Sequence, residues 1–195
     1  GRHSPQPTLY VLVWNLQRAV CHLVTWISFH LLLAIDDAAF AIQEILNYAA
    51  VNRIIGLSIP FAPRNGFRVE EIRPGYVRAR IQIKGNKNHF GSLYAGAYFL
   101  VAEIPGGVLT LFDLGPAYTP ILKEMTLQFL QPANSDVTVE FSLTSEDVAG
   151  ILADANATGR AKFTLEGELR DLEGNHVATS VAQYRVRKKG FQPGA

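Results

Sequence analysis

The chain contains a single cysteine, Cys21. One thiol cannot close an intrachain disulfide and cannot supply a cysteine-based zinc site, so a reducing, cytoplasmic setting is the expectation. Charge of one sign is missing as well. Eighteen Lys and Arg against seventeen Asp and Glu leave a net charge of +1, which gives no overall attraction for nucleic acid. The only basic cluster is Arg185, Arg187, Lys188 and Lys189, which reads as a solvated strand end able to meet a phosphorylated ligand. The five histidines are scattered and the carboxylates do not cluster, so no metal site is expected and no cofactor is called for. No G-x-S-x-G, H-E-x-x-H or G-x-G-x-x-G occurs. Gly91 to Gly96 has phosphate-loop spacing, but Ala97-Tyr98 stands where lysine and a hydroxyl residue are required.

What is abundant is apolar surface. A hydrophobic fraction of 48% with 18% charged residues describes a folded protein with a sizeable core. Leu9 to Ile35 is apolar with Arg18 as its only charge, long enough to raise a membrane span. Its polar residues Asn15, Arg18, His22 and Thr25 fall on one helical stripe. That pattern suits a helix packed on protein or lying in a membrane interface, and fits a cleavable signal less well. Residues 1–35 are therefore read as an apolar helical appendage, and residues 36–195 as the main domain. In that domain a leading helix spans Ala38 to Ile55, capped by Asp36-Asp37 and ended by Gly56. Asn156-Ala157-Thr158 has the form of a glycosylation acceptor, relevant only in a secreted chain.

After a loop over Ser58 to Gly66, period-two patterns dominate. Val77, Ala79, Ile81 and Ile83 alternate with polar partners, and further strands are read around Leu127, over Val137 to Leu143, over Ala161 to Leu169, and from His176 through Val186. Asp171 to Asn175 supplies the turn between the last two. Between the strands, Ser92 to Ile104 reads as one buried helix capped by Ser92 and stopped or kinked by Pro105. That order predicts an α+β domain, an antiparallel sheet wrapped around one central helix.

Within that helix Glu103 is the only charged residue between Lys87 and Asp113. Its ordinary reading is structural: it reaches solvent, or it pairs with an arginine from a neighbouring strand. The helix start, rich in glycine, serine, asparagine and histidine, offers free amides for a carbonyl or an anion. A desolvated carboxylate near such a start can act as general base or nucleophile. Thioesters suit this sparse equipment, because the leaving thiol has an ordinary pKa of about 8.5 and needs no strong general acid.

The segment "NHFGSLYAGAYFLVAE" resembles the central helix of hotdog-fold acyl-CoA thioesterases of the phenylacetate-pathway and uncharacterised DUF4442 types. In the former an asparagine is followed by a His-Gly-Gly triplet and a closing acid. Asn88 matches the asparagine, Tyr94-Ala95-Gly96 stands at the triplet with Tyr94 and Ala95 replacing its first two residues, and Glu103 matches the acid. "FLQPA" and the hairpin over residues 161–189 are similar to later strands of the same family. The resemblance covers roughly Asn47 to Lys189. It implies a hotdog fold and Glu103 as base or nucleophile. It also implies that Asn88 positions water or thioester and that the amide near Gly96 polarises the carbonyl. His89, Gly91, Ser92 and Tyr94 would line the substrate site. CoA would enter only as part of the substrate, or an acyl carrier would replace it, and a homodimer or tetramer would carry sites at the subunit interface. Two alternatives stay open: a non-catalytic acyl-binding or membrane-associated protein, and a hydratase, for which only His89 lies near the motif.

Overall fold

The computed structural model describes residues 48–191; the N-terminal appendage and the start of the leading helix lie outside them. The described chain opens with helix α1, residues 48–58, followed by a short turn of helix, α2 (Phe61–Arg64). Six strands and two longer helices follow: β1 (Phe67–Arg73), β2 (Tyr76–Ile81), α3 (Ala95–Leu114), β3 (Tyr118–Phe129), β4 (Val137–Ser142), α4 (Ser145–Thr158), β5 (Arg160–Asp171) and β6 (His176–Lys188). All strand pairings are antiparallel, in the order β1-β2-β4-β5-β6-β3. The sheet curls around α3, which gives the antiparallel sheet around a central helix that the residue pattern predicts and the hotdog fold that the resemblance implies.

The alternation in β2 does what its period requires: Val77, Ala79 and Ile81 are wholly buried, and full burial of a valine or isoleucine stabilises by about 1.5–3 kcal/mol. β6 repeats the pattern with Ala178, Ser180, Ala182, Tyr184 and Val186 facing inward. Asp171 shapes the last hairpin as expected, its Oδ1 accepting from the amides of Glu173 (3.0 Å) and Asn175 (2.8 Å).

Several boundaries differ from the sequence reading. α1 continues past Gly56 to residue 58, because Ile55 is buried and its carbonyl accepts the Ile59 amide at 2.7 Å. The loop over Ser58 to Gly66 contains α2. β2 ends at Ile81, where the chain turns and the Ile83 amide donates to Asp136 instead. The central helix begins at Ala95, with extended Tyr94 at its cap. Ser92 is committed to a loop, its carbonyl accepting the Asn88 amide at 2.8 Å. Pro105 does not stop α3, which runs on to Leu114. Tyr184 Oη donates to the Glu103 carbonyl at 2.6 Å and Thr110 Oγ1 to the Gly106 carbonyl at 2.7 Å, so side chains hold the backbone on both sides of the proline.

A further helix, α4, was absent from the expectation. Its signal was present: Thr144 and Asp147 form a reciprocal capping box, and Gly159 closes the helix in the left-handed region at φ 76°. Asn156 of the glycosylation-like triplet sits on this helix, its Oδ1 accepting from Tyr118 Oη at 2.9 Å.

α3 is long and apolar enough to cross a membrane, yet Leu100, Val101, Ile104 and Leu109 are packed inside the sheet. Its remaining face is left open. α1 is fixed alongside by Asn52, whose amide behaves like one more peptide unit on the free edge of β1. Nδ2 donates to the Val69 carbonyl at 2.7 Å, and the Val69 amide donates to Oδ1 at 2.8 Å.

Candidate active site

The open face of α3 carries Ala95, Gly96, Phe99, Glu103, Gly107 and Leu111, at helical steps of three and four. Three features follow one another along this stripe.

At its start, the backbone leaves donors exposed. Tyr94 caps the helix without a side-chain bond, its carbonyl taking the amides of Ala97 and Tyr98. The amides of Ala95 and Gly96 find no acceptor among the described residues, as expected for the first turn of a helix. The ring of Tyr94 folds over this turn: a methyl group placed on Gly96 would sit 2.6 Å from Tyr94 Cε1. Tyr94 is itself exposed.

Asn88 organises the loop before the helix. Its Oδ1 accepts the Phe90 amide at 2.9 Å and its Nδ2 donates to Ser92 Oγ at 3.0 Å. Gly91 turns this loop at φ 88°, a conformation that favours glycine. Asn88 and Ser92 line an apolar cavity of about 360 Å³ with Phe90, Ala95, Tyr98 and Phe129. His89 does not line it; its ring is exposed and lies against Phe90 with centroids 3.8 Å apart.

Midway along the stripe stands Glu103. Among the described residues its carboxylate makes no ion pair and no hydrogen bond. The arginines of β2 do not reach it: Arg78 and Arg80 alternate with the buried Val77, Ala79 and Ile81 and so lie on the sheet face away from α3, where Arg80 Nε is 2.7 Å from Glu70 and Arg78 lies between Glu70 and Glu71. Lys189, on the same cavity as Glu103, donates its Nζ to the Pro116 carbonyl at 2.7 Å. Burial alone pushes the Glu103 carboxyl up from its ordinary value.

Beyond Glu103 the stripe forms one wall of a second cavity, about 560 Å³, closed on the other side by Val51, Ile54 and Ile55 of α1. Its size is typical of sites that hold small organic ligands. A single chain thus brings Asn88, Ser92 and the helix start together, and places Glu103 on a different cavity. Gly96 and Glu103 are seven residues apart on one helix, a separation of about 10 Å along its axis.

Sequence reasoning missed Asn52 and Tyr184. Tyr184 was discoverable, since it occupies an inward position of β6 between Ala182 and Val186, where a hydroxyl requires a partner. Among the described residues no three His, Cys, Asp or Glu side chains gather as metal ligands.

A match to the family described as DUF4442, a domain of unknown function, spans residues 48–186, from α1 to all but the last two residues of β6. The chain belongs to the DUF4442 family. Among solved structures, a Pseudomonas aeruginosa protein of unknown function described as a probable thioesterase is 42% identical, over 72% of this chain and 95% of its own, with a TM-score of 0.68. A thioesterase from Haemophilus influenzae shares the fold at 15% identity, TM-score 0.60, over 75% of this chain and 94% of its own. A Chlorobaculum tepidum protein of unknown function shares it at 13% identity, TM-score 0.67, over 75% and 97%. No curated protein matches this DUF4442 chain in sequence.

Proposed function

We propose that this DUF4442 protein is a thioesterase that hydrolyses acyl-CoA or a related acyl thioester, with Glu103 as general base. The observation that carries this reading is the position of Glu103: unpaired among the described residues, partly desolvated, and opening onto an apolar cavity, whereas the other acid of the helix, Asp113, accepts the Gly75 amide. The 42% identity to a protein described as a probable thioesterase supports it.

The reaction asks little of the protein. Glu103 takes a proton from water, and the water oxygen bonds to the acyl carbon. A backbone amide holds the developing oxyanion, the C–S bond breaks, and the proton passes to the departing thiolate, giving carboxylic acid and thiol. Amide and base must both lie within hydrogen-bond reach of the reacting atoms, about 3 Å. The roughly 10 Å between Gly96 and Glu103 on one helix cannot meet that condition.

Two copies related by a two-fold axis can meet it, because antiparallel α3 helices would set Gly96 and Asn88 of one copy beside Glu103 of the other. β3 supports such an assembly. It is a twelve-residue edge strand with no fully buried residue and no partner on its outer side among the described residues, an arrangement that isolated proteins avoid. Exposed Phe90, Phe99 and Phe129 flank the same region.

The test is thiol release from a panel of acyl-CoAs by the wild type and by Glu103→Gln and Glu103→Ala. Turnover that survives both substitutions sinks the assignment. The ring of Tyr94 over Gly96 favours a second reading, in which the amides are covered and the protein binds acyl groups without cleaving them. That reading predicts binding of acyl-CoA with no thiol released.

A further inference from the structure

Gly107 sits inside α3, one turn beyond Glu103, and neither backbone nor packing accounts for it. Its φ lies outside the left-handed region, so the conformation does not call for glycine. A methyl group there would meet only Pro120 Cγ, at 4.0 Å. The adjacent Gly106 is different, since the ring of Tyr184 already occupies the place of its side chain. Glycine within a helix is destabilising relative to alanine, so at position 107 the fold tolerates a cost with no local return. What the missing side chain leaves open is the cavity between α1 and α3.

The walls of that cavity indicate its contents. On α3 the rows Glu103-Gly107-Leu111 and Ile104-Val108-Phe112 line it, and α1 supplies Val51, Ile54 and Ile55. Polar side chains are a minority of its lining: Glu103, Ser58, Thr119 and Lys189. From Glu103 to Leu111 the groove follows the helix for about 12 Å. An extended alkyl chain, with bonds of about 1.5 Å at tetrahedral angles, advances roughly 1.25 Å per carbon, so this length matches about ten carbons. Gly107 stands about 6 Å along it, or four to five carbons from the carboxylate.

We infer that this cavity receives the linear acyl chain of the substrate, with the reacting carbonyl toward Glu103, and that Gly107 sets the accepted chain length by leaving the channel open. The inference rests on the thioesterase reading for the head group, but the cavity can be tested without catalysis. Alkyl-CoA thioethers have no carbonyl and cannot be hydrolysed. Titration calorimetry of the full chain with butyl-CoA and dodecyl-CoA gives an affinity ratio that reports the channel alone.

The wild type is expected to bind the dodecyl compound at least tenfold more tightly than the butyl one. Gly107→Leu, which fills the channel one turn from Glu103, should reduce that ratio tenfold or more. Leu111→Asp changes an exposed position at the far end, where folding is little at risk, and should lower the same ratio by placing a charge against the chain terminus. Equal affinities in the wild type, or a ratio that survives both substitutions, would overturn the assignment. Thiol release from dodecanoyl-CoA is measured in parallel. The expected ratios without any release would remove the hydrolytic reading and leave the acyl channel standing.

Discussion

The hydroxyl of Tyr184 donates a hydrogen bond to the main-chain carbonyl of Glu103 at 2.6 Å, tying the inner face of β6 to the helix residue whose side chain lines the cavity. The phenol is buried, and burial followed by the nearby Glu103 charge pushes its pKa far up, so it remains a donor across the working pH range. The ring is further held by stacking on Phe163, centroids 5.3 Å apart. The carboxylate is thus carried by a backbone segment fixed from the core, which is how a group with no side-chain partner keeps its position.

Replacing Tyr184 by Phe keeps the stack and removes only the hydroxyl. Leaving the carbonyl without this donor should cost about 1–2 kcal/mol in urea unfolding. A larger fractional loss of kcat than of stability would show that the bond also positions the carboxylate.

Glu103→Gln is expected to lower kcat by about 10²-fold or more, the usual contribution of a general base. In the wild type kcat/KM should rise with pH through a limb above the ordinary glutamate value of about 4.3, since the raised carboxyl must lose its proton to act. A limb at or below that value would contradict the desolvated setting.

The same substitution makes a stability prediction of opposite sense. Because the folded pKa of Glu103 is raised, the folded state holds the proton more tightly, and stability falls as pH rises from the unfolded value through the folded one. Glu103→Gln escapes this loss. Its advantage over the wild type should be larger at about pH 8 than at about pH 4, read from thermal melts across that range.

Asn52→Ala should free α1 from the edge of β1. Loss of the paired bonds to Val69 is expected to cost about 1–3 kcal/mol, with faster hydrogen exchange at the Val69 amide as the local signature. Asn52→Asp keeps the acceptor and loses the donor, so it should fall between.

Tyr94→Ala uncovers the first turn of α3. If the ring helps hold the thioester, KM should rise several-fold with a smaller change in kcat. Turnover seen only in the variant would identify the tyrosine as a plug and favour the acyl-binding reading.

Much of the fold was legible because strands write their burial at period two. β2, β4, β5 and β6 all appear where alternation places them, with ends displaced by a few residues where side chains such as Asp136 took over the backbone donors. β3 was read only over its C-terminal half, since its edge position leaves none of it fully buried and weakens the alternation. α4 escaped notice because only Ile151 and Ala155 are buried, too few to generate a strong helical stripe. Ser92 was mistaken for the helix cap because serine is the commoner cap, whereas long-range pairing of Leu93 with Ala133 and of Tyr94 with Asn86 holds the loop extended for two more residues.

The sequence by itself determined the α+β class, the buried central helix and the isolation of Glu103, because these follow from the order and period of apolar residues along the chain. Only the tertiary structure decided that the arginines of β2 pair with Glu70, Glu71 and Asp136 on the sheet face away from α3, and that Asn88 and Glu103 face separate cavities in one chain. The reason is physical: a pKa, an ion pair and a cavity depend on residues brought together across the fold. The alternation that builds each strand does not encode which distant side chain will arrive beside it.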